Sequence, residues 1–153
     1  MKKRLLIVSH CPSPNTLRLT EAVIAGANHP DIDVEVIHKP PLQAGPDDVL
    51  AADAILLGTT ENFGYMSGAM KDFFDRIYYP CLEHTEGRSY ALFIRAGNDG
   101  SGAKSSIERI ILGLKWRATQ PPLIMVGDFQ EAFIEQCQEL GMTLAAGVEA
   151  GIY

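Results

Sequence analysis

Short runs of aliphatic and β-branched residues alternate along this chain with longer segments whose apolar residues recur at helical spacing, and that alternation limits the possible folds more than any other feature. The short runs fall at residues 4–9, 33–37, 54–58, 90–94 and 122–126, and the helical segments at 15–28, 67–83, 103–117 and 129–140. The run at 4–9 is almost continuously apolar, the mark of a strand buried on both faces, whereas 33–37 alternates as a half-exposed edge strand does. The Pro-, Gly- and Asp-rich stretch at 40–50 predicts no more than a short helical turn. Strands that alternate with helices predict a three-layer α/β fold with a doubly wound, five-stranded parallel sheet. Right-handed crossovers make 2-1-3-4-5 the simplest strand order. No internal repeat, low-complexity tract or linker interrupts the 153 residues, so a single domain spanning 1–153 is expected.

Charge and cysteine usage then narrow the class of function. A net charge of −6 without a clustered basic face argues against nucleic-acid and anionic-membrane partners, because either must displace counterions. The Lys2-Lys3-Arg4 start is followed by only four apolar residues, Leu5-Leu6-Ile7-Val8, and reads as a first strand rather than a secretory signal. Cys11, Cys81 and Cys137 have no metal-binding or C-x-x-C spacing. A reducing, cytoplasmic setting is expected.

In open parallel sheets, ligands bind beyond the carboxyl ends of the strands, where the strand order reverses. Here that point lies between the first and third strands, and three loops meet there. The first contains Ser9-His10-Cys11-Pro12-Ser13-Pro14-Asn15-Thr16 and runs into a helix, so hydroxyls, an amide and free N–H groups converge as an anion site or as an ordinary helix cap. The second, Gly58-Thr59-Thr60-Glu61-Asn62-Phe63-Gly64-Tyr65-Met66-Ser67, carries two aromatics on a loop. Such rings cover a flat apolar ligand or fold back onto the core or a subunit interface. The third, Ala96-Gly97-Asn98-Asp99-Gly100-Ser101-Gly102, is glycine-rich enough for a planar ligand to approach its backbone, and equally suits a tight turn.

The segment from Gly58 to Asp75, with Gly58-Thr59, Phe63-Gly64, Met66 and Met70-Lys71 leading into Phe73, Phe74 and Asp75, resembles the flavin loop and following helix of the NAD(P)H:quinone oxidoreductases of the tryptophan-repressor-binding-protein type. These lie within the wider flavodoxin-like and NADPH-dependent FMN reductase superfamily. Ser9 followed by Asn15-Thr16 is similar to the flavodoxin phosphate loop, made irregular by two prolines. The resemblance implies FMN as cofactor, with its phosphate at Ser9, Ser13, Asn15 and Thr16. It implies an isoalloxazine ring lined by Thr60, Glu61, Asn62, Phe63, Gly64 and Tyr65 on one side and by Gly97, Asn98 and Gly100 on the other. NAD(P)H is then the implied electron donor, and the chemistry is the flavin's, so no protein acid or base is called for. The chain is shorter than those quinone oxidoreductases, and Tyr65 stands where they usually carry a small polar residue, so the resemblance implies a more occluded substrate side of the flavin.

Other readings compete. An enzyme would pass electrons from NAD(P)H through FMN to a quinone, flavin or other small acceptor; a flavodoxin-type carrier would shuttle them between redox partner proteins. Cys11 before a helix suggests a low-molecular-weight tyrosine phosphatase, but six residues separate it from Arg18 where that chemistry needs five. Gly97 to Ser105 is a P-loop with one residue too many before Lys104. A response-regulator receiver would need acidic residues where Ser9-His10 and Gly58-Thr59 stand. His10 is near enough to the first loop to touch a ligand. Trp116 and the Tyr78-Tyr79-Pro80 corner belong either to the core or to a homodimer contact.

Overall fold

The computed structural model describes residues 2–153. In chain order the elements are β1 Lys3–Ser9, α1 Pro14–Ala27, β2 Val34–Lys39, α2 Pro46–Ala51, β3 Ala54–Asn62, β4 Tyr65–Met66, α3 Gly68–Cys81, β5 Ser89–Ala96, α4 Ser101–Leu114, β6 Arg117–Ala118, β7 Leu123–Val126 and α5 Glu131–Glu149. The layering is the expected one, with helices on both faces of a parallel sheet. Leu5 and Ile7 of β1 pack with Leu19 and Val23 of α1 and with Leu140 and Leu144 of α5. Leu6 and Val8, pointing the opposite way, join Phe73 and Ile77 of α3 and Ile107 and Ile111 of α4. The period-2 alternation of a doubly buried strand thus feeds two separate cores.

The strand count and order need correction. Instead of five strands in the order 2-1-3-4-5, the described residues form seven: the main path runs β2-β1-β3-β5-β6, β4 pairs with β3, and β7 pairs with β5. Two local causes account for this. β3 continues past Gly58 to Asn62 and turns back on itself, so that Asn62 opposes Tyr65 and Glu61 opposes Met66 in a short antiparallel hairpin. The outer position beside β5 is divided, with Arg117 opposite Ser89 at one end and Leu123 opposite Phe93 at the other. The segment between holds Pro121 and Pro122, which lack the N–H that an unbroken ladder requires.

α5 also runs to Glu149 rather than ending near residue 140. Gly141 has the look of a helix stop, yet it sits mid-helix as a packing notch: a Cβ there would come within 2.1 Å of the Val23 carbonyl oxygen of α1. Gly26 is its counterpart on α1, where a Cβ would lie 1.9 Å from the Gln138 carbonyl oxygen. Trp116 is core rather than surface, with its Nε1 donating to Thr85 Oγ1 at 2.8 Å.

Candidate functional site

Backbone pairing brings the three loops to one rim. Ser9 lies opposite Gly58, the His10 amide donates to the Gly58 carbonyl at 2.9 Å, and Thr60 lies opposite Arg95 just before the third loop. No helix is long and apolar enough to cross a membrane among the described residues.

In the first loop Ser13 is the N-cap of α1, and Pro14 takes the first helical position, which suits its fixed φ and missing donor. Ser13 Oγ accepts from the Thr16 amide at 3.2 Å, while Thr16 Oγ1 accepts from the Ser13 amide at 3.0 Å. This reciprocal box orients the first turn and leaves the exposed Asn15 at its mouth. Ser9 is placed differently. It is buried, shares the face of Leu5 and Ile7, and its Oγ is 2.6 Å from Thr20 Oγ1, so its hydroxyl is turned toward α1. Arg18 does not approach Cys11; it forms a two-pronged contact with Glu131, at 2.8 and 3.1 Å, and lies 5.2 Å from the centre of the Phe129 ring.

The second loop is a tight hairpin whose two central residues, Phe63 and Gly64, both have positive φ, +54° and +69°. A two-residue turn of this kind matches the twist of the paired strands, but it suits Asn-Gly or Gly-Gly rather than a bulky residue. Phe63 therefore carries backbone strain of order 1–2 kcal/mol, and its ring is fully exposed. Neither the core nor a neighbouring element takes that ring up. Tyr65 is also exposed. Thr60, on the strand leading into the hairpin, has a buried Oγ1 with no hydrogen-bond partner.

Glu61 faces the other way and reaches the third loop. Its Oε2 accepts from the Gly102 and Ala103 amides, each at 3.1 Å, and so satisfies donors at the start of α4. The hairpin tip rests directly on this turn, because a Cβ on Gly102 would fall 1.9 Å from the Gly64 carbonyl oxygen. Gly97 and Asn98 remain exposed at the rim, and Gly100 is buried with φ +74° against Ile124. Asp99 Oδ1 accepts from the Ser101 amide and hydroxyl, at 3.0 and 2.9 Å, which hold its carboxyl below the usual range.

One residue that pattern reading passes over organises the rim. Arg95 donates to the carbonyls of Ala96, Met125 and Gly127 at 3.0, 3.2 and 2.6 Å, and its guanidinium lies beside the rings of Phe129 and Phe133. It thereby ties the carboxyl ends of β5 and β7 together under the third loop. A lone arginine directly following the apolar run 90–94 was the available signal.

Burial depresses the imidazole pKa of both His10 and His38, with the Ser9 backbone partly opposing the shift at His38, whose Nε2 is buried without a partner. Each binds a proton more readily unfolded than folded. Stability is therefore expected to hold above about pH 6.5, the ordinary imidazole value, and to fall as pH drops below it. Urea midpoints at pH 7.5 and 5.5 check this, and His38→Gln should flatten the dependence.

The hairpin supplies a second expectation. Phe63→Asn places a residue tolerant of positive φ at the strained position and should raise stability by up to about 1 kcal/mol in urea unfolding. If the ring serves a ligand, flavin affinity should weaken several-fold in a fluorescence titration; unchanged affinity would remove Phe63 from the site.

A doubly wound sheet with a helix-capped first loop, a tight hairpin and a glycine turn at its switch point defines a flavodoxin-like α/β protein. The chain belongs to the NADPH-dependent FMN reductase family, whose family model matches residues 9–130. It is 30% identical over 99 residues to a flavodoxin of Aquifex aeolicus, covering 65% of this chain and 53% of that protein, so the match spans about half of the relative's length. It is 27% identical over 135 residues to an NAD(P)H dehydrogenase (quinone) of Archaeoglobus fulgidus, covering 72% and 71% of the two chains. Among solved structures, an archaeal flavodoxin aligns with a TM-score of 0.78 at 23% identity over 97% of this chain and 99% of that one. A WrbA-like flavodoxin of Agrobacterium tumefaciens aligns at 0.67 and 15% identity over 99% of each.

Proposed function

We propose that the chain is a single-domain, cytoplasmic FMN-dependent oxidoreductase that takes electrons from NAD(P)H and passes them to a quinone, a flavin or another small acceptor. The observation that carries this reading is the Thr60 hydroxyl, buried without a partner on the rim between the phosphate-type loop and the hairpin. A buried hydroxyl left unpaired costs about 1–3 kcal/mol, which a polar chain passing between those loops would recover. Part of the donor set supports FMN. The first turn of α1 offers Asn15 and helix N–H groups to a phosphate dianion, with Ser13 and Thr16 holding that turn in shape. Ser9, fully buried and with its hydroxyl committed to Thr20, would anchor the base of the loop rather than donate to the phosphate. Phe63 and Tyr65 present exposed ring area on the hairpin, and Gly97 and Asn98 exposed backbone on the third loop, as a planar aromatic ligand needs. Glu61 would act indirectly, fixing the hairpin against α4.

When bound, FMN supplies hydride acceptance and electron delivery; the chain's part is to hold it, exclude water from one face and leave another open. Apo protein titrated with FMN should quench flavin fluorescence, and the loaded protein should oxidise NADPH when a quinone is present. Absence of FMN binding overturns the reading. The similarity to flavodoxins favours a second possibility, an electron carrier that docks on redox partner proteins. Tight FMN binding without pyridine-nucleotide oxidation would select it.

A further inference from the structure

Beyond the rim, α3 and α4 leave a groove between them. Its upper part, about 360 Å³, is lined by Gly64, Tyr65, Lys71, Ser105 and Arg109. Its lower part, about 370 Å³, adds Phe74, Tyr78 and Tyr79 and shares Lys71, Arg109 and Ile110 with the upper part, so the two adjoin. Two glycines of α4 close its ends. At the top the Gly64 carbonyl fills the space where a Cβ of Gly102 would be. At the bottom the Tyr78 hydroxyl lies 2.2 Å from the position of a Cβ on Gly113. From Gly102 to Gly113 the helix rises roughly 16 Å.

The charges of this groove differ from those of the chain as a whole. Arg109 is exposed and has neither a salt bridge nor a side-chain hydrogen bond among the described residues, yet it lines both parts of the groove and a third, outer hollow beside Leu112. A guanidinium offers five donors in a planar fork suited to phosphate. Lys71 faces the same space; its ammonium donates to Asp75 at 2.6 Å, a contact that also raises its pKa. Asp75 on the lower wall is thus engaged, and Glu108 lines only the outer hollow. Ser105 adds an exposed hydroxyl in the upper part, and Tyr79, 79% exposed, lines the lower end. The unpaired Arg109, the Lys71–Asp75 ion pair, a hydroxyl and an aromatic face match a nucleoside diphosphate, with Arg109 the main anchor of its charge.

We propose that the α3–α4 groove binds a nucleoside diphosphate, the ADP half of the pyridine dinucleotide, with Arg109 and Lys71 on the diphosphate and Tyr79 under the base. The groove ends at the hairpin tip, so a ligand seated in it would have its far end directed to the rim. This rests on the NAD(P)H reading above, and the two can fail separately.

The test is calorimetric titration of the FMN-loaded protein with ADP, alongside steady-state oxidation of NADPH. ADP should bind wild type, and Arg109→Ala should weaken it about tenfold. Lys115→Ala, which removes a cation paired with Glu86 outside the groove, should leave affinity unchanged. The KM for NADPH should rise with Arg109→Ala while kcat holds. Failure of wild type to bind ADP, or equal weakening by Arg109→Ala and Lys115→Ala, overturns the site. NADPH oxidation with a KM that Arg109→Ala does not move also overturns it, leaving the oxidoreductase reading in place. ADP binding lost with Arg109→Ala in a protein that oxidises no pyridine nucleotide supports the groove and sinks the donor assignment.

Discussion

Gly141→Val is expected to lower stability by about 3 kcal/mol, roughly a 10 °C fall in Tm for a domain of this size. Its Cβ would come within 2.1 Å of the Val23 carbonyl oxygen, a backbone atom that cannot rotate away. α1 and α5 would have to separate, opening the core that holds Leu5, Ile7, Leu19 and Leu144. The better helix propensity of valine over glycine recovers only a few tenths of a kcal/mol of that loss. Gly45→Ala is the control, since a Cβ there meets nothing within 4 Å. Thermal unfolding of the two variants decides it: a Gly141→Val midpoint within 2 or 3 °C of wild type, under about 1 kcal/mol, would mean the helices do not depend on this contact.

Gly102→Val should act on the ligand instead. Its Cβ would overlap the Gly64 carbonyl oxygen, 1.9 Å away, and so push the hairpin tip off α4 while breaking the contacts of Glu61 Oε2 with Gly102 and Ala103. Hairpin and turn are exposed, so global stability should change by less than it does for Gly141→Val. Both loops proposed to line the flavin ring would shift, however, and FMN affinity should fall at least tenfold, about 1.4 kcal/mol. Fluorescence titration beside a urea melt separates the two effects. Loss of stability with intact affinity would mean that the contact serves the fold alone.

What could be read from the sequence divides along physical lines. β1, β3 and β5 were legible because burial on both faces leaves near-continuous apolar runs, and the alternation of β2 marked it as an edge. β4 and β6 were not legible, since a two-residue strand has no period and forms only because its neighbours present an open ladder. Gly141 misled because a glycine after Leu140 looks like a helix end when the partner helix it accommodates is out of sight. The site divides in the same way. Ser13, Asn15 and Thr16 follow from local capping chemistry, and the loop positions of Phe63 and Gly64 follow from the end of an apolar run. The direction of Glu61 toward α4 depends on a neighbour 41 residues away. Ser9 lies between. Its place in the alternation after Leu5 and Ile7 already puts its hydroxyl on the α1 face, away from the rim.

The division of the outermost ladder has a consequence for how copies of this molecule meet at high concentration. An open sheet ends in unpaired amides and carbonyls that invite another chain to dock as one more strand. Here that border offers two residues, Arg117–Ala118, then an interruption containing two prolines, then four residues, Leu123–Val126. Neither stretch is long enough to template stable cross-chain pairing, so the protein should resist fibril growth from this side even when its concentration is raised well above working levels.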